Sequence, residues 1–280
     1  GRDYNFTMVL GVDVGGTKTK FVLWDGKRVL KRGKLNWKFG EKWEDLRGEV
    51  ETLDLKFGKV GFAVKGVWTK GERERLKKVL GGVVISDVEG VLFDAFGEKD
   101  GMVLIAGTGS ICVARKNGKI FRYGGYGYIF SDWGSGFWIG KMAVEMALKR
   151  ESFLKIALFG TEDLEEIRVK IKRILGLERD KMVRKVAEFS RAVFEVAKMG
   201  DEDANYILEL ALRELLNMCL RVYRDSGVEN IALHGGLFRD RYFRERFLSL
   251  LKRYYLNVVG YNFDGARGVA KFTMASGGLK

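Results

Sequence analysis

Short apolar runs separated by glycine turns dominate the first hundred residues. MVLGVDV at 8–14 ends in a Gly-Gly turn, KFVLWD at 20–25 ends in an Asp-Gly turn, and KRVLKRGKL follows at 27–35. Strand, tight turn, strand, turn and strand predict a β-meander. Two further apolar runs, at 59–64 and 82–88, predict strands that alternate with charged helical segments. These helices are predicted at 41–52, 70–80 and 89–96.

A second strand, glycine turn and strand unit opens the rest of the chain. MVLIAGTGS at 102–110 predicts a strand that ends in a turn, and a hairpin is predicted around Asn117-Gly118. Apolar residues then recur at helical spacing. Helices are predicted at 135–150, 161–175, 182–199, 203–226, 240–253 and from 265, with strands at 230–236 and 255–259.

The two halves begin alike, which predicts two α/β domains rather than a short-period repeat. We expect the first domain over 1–100, with the helix at 265–280 as a candidate to complete it, and the second over 101–264. No Pro- or Ser-rich linker separates them. We therefore expect domains hinged about a shared cleft.

Composition narrows the class of protein. The chain has 280 residues, of which 46% are hydrophobic and 31% charged, the balance of a soluble globular protein. It has no run of about 18 apolar residues, so no transmembrane helix is expected, and Gly1 to Thr7 lacks the layout of a secretory signal. Two cysteines without a CxxC motif predict a reducing cytoplasm and two buried core residues, Cys112 and Cys219.

The net charge of +13 is spread along the chain. It predicts a solvated basic surface that can help to attract phosphorylated ligands, and it does not favour nucleic-acid binding. Gln is absent and His is rare beside many Lys, Glu and Arg, which is typical of hyperthermophilic proteins. Proline is absent too, which does not fit that pattern because thermophile loops usually gain proline.

The first segment with candidate chemistry is GVDVGGTKT at 11–19. A strand delivers Asp13 to the mouth of a turn, where Gly15 and Gly16 let the backbone approach a ligand closely. Their N–H groups and the Thr17 hydroxyl can face phosphate oxygens. Asp13 can hold Mg²⁺ through water. The alternative is an ordinary hairpin with a tight glycine turn.

The second segment is LIAGTGS at 104–110, again a strand that ends in a Gly/Thr turn. One such turn is weak support for a phosphate site. Two of them, each opening the sheet of one half, predict phosphates held from both sides, with Gly107 and Thr108 in the second turn.

The third segment is IALHGGLF at 231–238. An apolar strand that ends in Gly235-Gly236 suits a nucleobase or ribose that approaches the backbone. A plain strand–helix turn is the alternative. His234, the only histidine, is interpreted as structural or as a contact to the adenine edge, so a Ser/His/Asp triad is not expected.

Together the three segments resemble the phosphate-1, phosphate-2 and adenosine motifs of the sugar kinase and actin superfamily. The chain is most similar there to the N-acetylglucosamine kinase and BadF/BadG/BcrA/BcrD ATPase family. The most specific stretch is GGYGYIFSDWGSGFWIG at 124–140, which resembles the family's GGWGxxxGDEGSxxWIG segment. Ser131 stands where the family has Gly, and Trp133, where it has Glu, adds bulk beside Asp132.

The resemblance implies two ribonuclease H-like (actin-like ATPase) domains with an inter-domain cleft. It also implies a kinase that uses ATP and Mg²⁺ to phosphorylate a hexose or amino-hexose. Asp87 matches the general base, which accepts the proton of a sugar hydroxyl, and Lys18 is a candidate to neutralise phosphate charge. Gly235 and Gly236 match the adenosine motif. The sugar-facing positions that match are Asn36, Thr108, Gly109, Gly125, Tyr126 and Asp132.

Structural roles for several of these residues stay open. Asp87 and Asp132 can each cap the helix that follows them. Trp133, Phe137 and Trp138 are interpreted as core packing rather than ligand contacts.

Three other functions are weighed against the kinase. An ATPase that activates a dehydratase or reductase needs cysteines for an iron–sulfur cluster, and two scattered cysteines do not favour it. The others are a nucleotide-dependent binding module without turnover and a nucleic-acid-binding protein. For the kinase we expect a small-molecule sugar as partner and a homodimer as assembly, with neither nucleic acid nor membrane.

Overall fold

A computed structural model describes residues 8–16 and 18–277. The strands are β1 (Val9–Val14), β2 (Thr19–Trp24), β3 (Val29–Leu35), β4 (Lys59–Val64), β5 (Val83–Ser86), β6 (Gly101–Ala106), β7 (Ser110–Lys116), β8 (Lys119–Gly124), β9 (Asn230–His234) and β10 (Asn257–Tyr261). The helices are α1 (Trp43–Glu51), α2 (Lys70–Leu80), α3 (Asp87–Phe96), α4 (Gly136–Lys149), α5 (Leu154–Phe159), α6 (Leu164–Leu175), α7 (Arg179–Lys198), α8 (Glu202–Ser226), α9 (Arg241–Arg253) and α10 (Gly265–Ser276).

The chain divides into two compact units. The first runs to Lys99 and takes up the chain again from Phe263, so that α10 belongs to it. Its five strands form one sheet in the order β3-β2-β1-β4-β5. β2 is antiparallel to β1 and β3, whereas β4 and β5 run parallel to β1. As a result β1, β3, β4 and β5 all end at the same edge of this sheet.

Helix α10 packs on the first sheet at glycines. A Cβ on Gly11 of β1 would lie 2.0 Å from the Ala266 carbonyl oxygen, and one on Gly268 would lie 1.7 Å from the Gly90 carbonyl oxygen of α3. Such contacts leave no room for a side chain, so these glycines set how closely the strand and the two helices approach.

A buried carboxylate joins α3 to α10. Asp94 accepts hydrogen bonds from Arg267 Nε at 2.7 Å and Nη2 at 2.9 Å, and its Oδ1 lies 3.2 Å from Lys271 Nζ. Burial alone would raise the pKa of Asp94, but these cations and the Asp264 N–H outweigh it and hold the pKa below its ordinary value.

The second unit spans Asp100–Asn262. Its sheet has the order β10-β9-β6-β7-β8, with β7 antiparallel to β6 and β8, and with β9 and β10 parallel to β6. This is the first sheet's pattern repeated. The predicted hairpin is present, since Asn117 and Gly118 both have positive φ between β7 and β8.

The large core of the second unit lies between its sheet and the amphipathic helices α4, α7 and α8. One face of α8 buries Leu208, Leu215 and Cys219. Cys112 of β7 is buried in the same core, so the interpretation of both cysteines as core residues is confirmed.

The predicted α/β fold is confirmed, because two five-stranded mixed sheets with helices and one shared strand order form the ribonuclease H-like pattern that the resemblance implies. Helix α5 was not predicted, since six residues are too few to show helical periodicity. Helix α6 begins at Leu164, later than predicted, because the Asp163 side chain caps it by accepting from the N–H groups of Glu165 and Glu166.

No helix in the described part of the chain is long and apolar enough to cross a bilayer. The hyperthermophilic origin inferred from composition stays a prediction.

Candidate functional site

The sheet edge of the first unit gathers most of its candidate residues. The pairing aligns Val14 of β1 with Val64 of β4 and Val64 with Ser86 of β5, and it aligns Thr19 with both Val14 and Leu35. Four strands therefore end in line, and the residues directly beyond them are Gly15, Asn36, Lys65 and Asp87. Loops at the carboxyl ends of parallel strands are where α/β proteins bind their ligands.

The turn after β1 is tight. The Gly15 N–H donates to the Lys18 carbonyl oxygen at 3.1 Å, and the Lys65 N–H donates to the Val14 carbonyl oxygen at 3.1 Å. Gly16 and the Lys18 side chain are exposed. Thr17 lies outside the described residues. The predicted phosphate turn is thus a short backbone loop tied to the end of β4.

Asp87 is the first residue of α3 and does not cap it. Ser86 is the cap, since its Oγ accepts from the Glu89 N–H while the Glu89 carboxylate accepts from the Ser86 N–H. Arg73 holds that carboxylate, with Nη2 at 2.7 Å from Oε2. The capping alternative for Asp87 is therefore wrong.

Burial raises the pKa of Asp87 above its ordinary value. The N–H groups of Val88, Asp87 and Gly66 and the charge of Lys65 oppose that shift without cancelling it. A carboxyl with a raised pKa, at the end of a buried strand, is suited to accept a proton.

Asp13 is half-buried near the end of β1. Burial, followed by the charges of Asp87 and Asp264, raises its pKa to about 7, and Lys20, its cross-strand neighbour, opposes the shift. The start of α10 comes close as well, because a Cβ on Gly265 would lie 2.9 Å from Asp13 Oδ2. Asp13 and Asp87 are brought together as neighbouring carboxyls whose negative charges repel.

Asp264 is the third acidic residue near Asp13, and it also caps α10. Its Oδ1 accepts from the Ala266 and Arg267 N–H groups at 3.0 and 3.1 Å, and its Oδ2 forms an ion pair with Arg32. Among residues 8–16 and 18–277, no group of three or more His, Cys, Asp or Glu side chains is arranged to hold a metal ion. The acidic groups of the first unit are thus not a metal cage made of protein ligands alone.

Asn36 lies at the same edge as Asp87 but far along it. β3 and β5 are the two edge strands of the first sheet, so Asn36 and Asp87 follow opposite ends of the strand order. Asn36 is exposed, while the next residue, Trp37, is buried and donates from Nε1 to the Lys42 carbonyl oxygen at 2.9 Å.

In the second unit the turn after β6 packs against the start of α4. The Gly136 N–H donates to the Gly107 carbonyl oxygen at 2.7 Å and the Phe137 N–H to the Thr108 carbonyl oxygen at 3.2 Å. Across a trans peptide the following N–H points the opposite way. The N–H groups of Thr108 and Gly109 therefore face away from α4, where they can meet phosphate oxygens.

The predicted adenosine turn adjoins this loop. Gly235 has φ of 112°, and a Cβ there would lie 2.3 Å from the Ala106 carbonyl oxygen. A Cβ on Gly107 would come within 3.7 Å of the Gly236 nitrogen, whereas a Cβ on Gly236 would meet no atom within 4 Å. The two turns thus lie side by side, with open space at Gly236.

Asp132 is brought beside the turn after β6. Its Oδ1 accepts from the Ser110 N–H at 3.1 Å and lies 2.9 Å from where a Cβ on Gly109 would be. The cap of α4 is Ser135, whose Oγ accepts from the Trp138 N–H. The alternative that Asp132 caps α4 is therefore wrong.

The loop between β8 and α4 carries the remaining sugar-facing candidates. Arg122 donates to the Gly125 carbonyl oxygen at 3.1 Å and stacks over the ring of exposed Tyr126 at 5.2 Å. The buried Ser131, the departure from the family's Gly, accepts from the Tyr126 N–H at 3.2 Å through its Oγ. Ser131 thereby holds this loop closed on itself.

The three aromatic residues at and beside the start of α4 pack as expected. Trp133 stacks on Tyr123, with ring centroids 5.5 Å apart. Phe137 is buried, and Trp138 packs against the core of the second unit. Their interpretation as core packing is confirmed, so the bulk of Trp133 is directed toward Tyr123.

Two residues of the first unit were missed by sequence reasoning, Lys65 and Asp264. The signal for Lys65 was its place directly after an apolar strand, like Gly15 and Asp87. For Asp264 it was an Asp directly before a predicted helix.

The duplicated sheet and the paired glycine turns define a two-unit nucleotide-binding fold of the actin-like type. The family described as the BadF/BadG/BcrA/BcrD ATPase family has a model that matches residues 10–272. The chain belongs to this family.

Named relatives agree with that placement. The chain is similar, at 28% identity, to the N-acetylmuramic acid/N-acetylglucosamine kinase of Clostridium acetobutylicum, over 93% of this chain and 96% of the relative. It is 25% identical to the N-acetyl-D-glucosamine kinase of Dictyostelium discoideum, over 79% of this chain and 80% of the relative. The solved structure of a candidate N-acetylglucosamine kinase from Chromobacterium violaceum shares the fold, with a TM-score of 0.75 at 20% identity over 96% of this chain and 99% of that one.

Proposed function

We propose that this chain is an ATP-dependent sugar kinase that transfers the γ-phosphate of ATP to a hexose or amino-hexose. N-acetylglucosamine, glucosamine and glucose are the candidate acceptors. Family membership and the sugar kinases among its relatives support the class of reaction. The observation that carries the proposal is Asp87, which lies directly beyond the same sheet edge as the Gly15–Lys18 turn and is not used as a helix cap.

Asp87 acts as the general base. A sugar hydroxyl is a weak nucleophile, and a carboxylate within hydrogen-bond reach accepts its proton as the oxygen attacks phosphorus. Burial raises the pKa of the carboxylate, and the nearby N–H groups of Val88, Asp87 and Gly66 oppose that rise. Its raised pKa makes it a stronger base than an exposed aspartate.

The glycine turns take the phosphates and the adenosine. Gly15, Gly16, Thr17 and Lys18 face the phosphates from the first unit. In the second unit Gly107 and Thr108 do so, and the outward direction of the Thr108 N–H supports this role. The open space at Gly236 beside Gly235 supports an adenosine lying against that backbone.

Sugar recognition falls to polar groups and one aromatic face. Asn36 and Asp132 accept or donate to hydroxyls, and the exposed Tyr126 ring, backed by Arg122, offers a flat surface. Gly109 and Gly125 let the sugar approach the backbone. Thr108 serves both the sugar and the phosphates.

Mg²⁺ is the metal that the reaction implies, and the residues present fit it. Mg²⁺ prefers one or two carboxylates together with phosphates and water to a cage of protein ligands, and Asp13 is a carboxyl whose neighbours Asp87 and Asp264 disfavour its ionisation. A divalent cation would relieve that repulsion. Asp13 would hold it, directly or through water, and the ion would neutralise phosphate charge.

Release of ADP tests the proposal. ATP and Mg²⁺ are supplied with glucose, glucosamine, N-acetylglucosamine or mannose, and the wild type is compared with Asp87→Asn. We expect turnover stimulated by one or a few sugars, and its collapse in the variant. Slow turnover that no sugar stimulates would refute the kinase.

The alternative is an ATPase that activates a dehydratase or reductase, as the family's description allows. It is less well supported, because activators of this type hold an iron–sulfur cluster through cysteines. The chain has two cysteines, and both are buried in the core of the second unit. Iron that copurifies in stoichiometric amount would revive it.

For the assembly we propose a homodimer. Light scattering coupled to size-exclusion chromatography measures its mass. A mass equal to that of one 31.7 kDa chain at every concentration would refute it.

A further inference from the structure

Lys65 lies against the turn that is proposed to hold phosphate. Its backbone is fixed beside β1, because the Lys65 N–H donates to the Val14 carbonyl oxygen. Its side chain then runs over Gly16, where a Cβ would lie 2.9 Å from Lys65 Nζ and 3.6 Å from Cδ. The ammonium group thus lies on the exposed face of the glycine turn itself.

The same lysine is a neighbour of the proposed base. Gly66, the next residue, has φ of 75°. Burial raises the pKa of Asp87, and the Lys65 charge and the Gly66 N–H both oppose that rise, so both lie near the Asp87 carboxylate. Yet Lys65 is exposed and forms no ion pair within 4.0 Å of a described carboxylate. Its ammonium thus lies at the glycine turn, close enough to the Asp87 carboxylate to affect its pKa, and no ion pair neutralises it.

We propose that Lys65 is a catalytic residue whose ammonium contacts the γ-phosphate of ATP during transfer. This inference rests on the proposed kinase function. In the reaction the bond between the γ-phosphorus and the ADP oxygen breaks, a bond to the sugar oxygen forms, and the hydroxyl proton passes to Asp87. Lys65 stays protonated throughout and offsets the negative charge on the γ-phosphoryl oxygens and the departing ADP oxygen.

Lys65 suits this role better than Lys18, the cation that the sequence suggested. Lys18 lies within the turn and contributes its carbonyl oxygen to the Gly15 N–H. The ammonium that is directed onto Gly16 comes instead from the residue directly after the neighbouring strand β4. A cation fixed by a strand end is better oriented before the substrate arrives than one on a short turn.

Nucleotide affinity tests the contact without needing turnover. Calorimetry measures the binding of ADP and of a non-hydrolysable ATP analogue, each with Mg²⁺ and without sugar, to the wild type, Lys65→Met and Lys65→Gln. Lys78→Met is the matched control, because it removes one exposed lysine charge from α2 of the same unit. We expect both Lys65 variants to bind the analogue about 10- to 100-fold more weakly, the range for a hydrogen bond between charged groups, with a smaller loss for ADP.

Two results would overturn the contact. One is a Lys65→Met protein, folded by circular dichroism, that binds both nucleotides as the wild type does. The other is an equal loss for ADP and the analogue, since this would place Lys65 on a phosphate that the two nucleotides share. Lys78→Met should match the wild type for both.

Sugar-stimulated ADP release then separates this inference from the kinase proposal. If the wild type turns over and Lys65→Met matches its kcat, Lys65 is not catalytic and the kinase stands. If no sugar stimulates the wild type, the kinase fails and Lys65 is judged as an ATP contact by the affinities alone. The supporting result is a lower kcat for Lys65→Met with an unchanged KM for sugar, and partial rescue in Lys65→Arg.

Discussion

The two units share one sheet topology but differ in what stands at the carboxyl ends of their strands. In the first unit the residues directly after β1, β3, β4 and β5 are Gly15, Asn36, Lys65 and Asp87. In the second unit the residues directly after β6, β8, β9 and β10 are Gly107, Gly125, Gly235 and Asn262. One edge therefore carries polar and charged side chains, and the other carries mainly bare backbone.

The strands beneath these edges differ in the same sense. Asp13 of β1 pairs with Ala63 of β4, whereas the matching position of β6, Ile105, pairs with His234 of β9. A buried carboxyl is unfavourable unless it is paired or neutralised, and an isoleucine is not. The first sheet thus carries, near its strand ends, a carboxyl whose burial is unfavourable, where the second sheet carries an apolar side chain.

Substitution of the residue after the last strand of each sheet, Asp87 or Asn262, should reveal the largest difference between the two units. Asp87→Asn removes the base, so we expect kcat to fall by about 10²- to 10⁴-fold, measured as sugar-dependent ADP release. Asn262 is the counterpart in the second unit, with φ of 59°. Asn262→Gly, which keeps that conformation available, should leave kcat close to the wild type. A comparable loss in both variants would contradict a division of labour between the units.

Gly235→Ala tests whether the second unit depends on bare backbone for its fold. The new Cβ would meet the Ala106 carbonyl oxygen, and φ of 112° disfavours any side chain. We expect a loss of about 3 kcal/mol in the free energy of unfolding, from strain and displaced backbone together. Denaturant unfolding monitored by circular dichroism measures it.

Gly236→Ala is the matched control, because its Cβ would meet no atom within 4 Å. We expect a change in unfolding free energy below about 0.5 kcal/mol, together with weaker ADP binding if the adenosine lies against this backbone. Equal destabilisation of both variants would mean that the clash at Gly235 is not the cause.

The shared topology was accessible from the sequence because it rests on short apolar strands and glycine turns. MVLGVDV and MVLIAGTGS each predict a strand that ends in a flexible turn, and the strands that follow complete each sheet. The predicted turns at Gly15 and Gly107 accordingly lie at equivalent places in the two sheets. The pattern of apolar residues does not show which strands run parallel. It therefore does not show which strand ends lie at the same edge of a sheet.

That missing information explains the residues that were overlooked. Lys65 gains its position from the parallel pairing of β4 with β1, and Asp264 from the return of α10 to the first sheet, about 250 residues after Asp13. The helix caps stayed open at the level of the sequence for a related reason. Asp87 and Asp132 each had a serine nearby, Ser86 and Ser135, and hydrogen-bond geometry decides which side chain reaches the helix N–H groups.

Asn36→Ala tests the residue that follows β3, at the opposite end of the first sheet from Asp87. Asn36 is exposed and follows the strand at the opposite end of the sheet order from Asp87, so we expect it to bind a sugar hydroxyl other than the one that is phosphorylated. Loss of one neutral hydrogen bond corresponds to about 0.5–1.5 kcal/mol, which predicts a KM for sugar about 2- to 12-fold higher with kcat nearly unchanged. A fall in kcat as large as that of Asp87→Asn would show instead that Asn36 acts in the chemical step.

Asp13→Asn tests whether ionisation of the Asp13 carboxyl lowers the stability of the first unit. Since the pKa of Asp13 rises from 3.8 when unfolded to about 7 when folded, the unfolded chain binds fewer protons between these values, and ionisation of Asp13 lowers stability as the pH rises through that window. In metal-free protein we expect the variant to have a Tm similar to the wild type at pH 4 and higher above pH 7.

Asp54→Asn, which removes an exposed carboxylate from the same unit, is the control and should show no such pH-dependent gain. Mg²⁺ with ADP should narrow the difference by stabilising the wild type more than the variant, because the neutral amide is a weaker Mg²⁺ ligand than the carboxylate. A variant less stable than the wild type at every pH would mean that Asp13 stabilises the first unit rather than destabilising it.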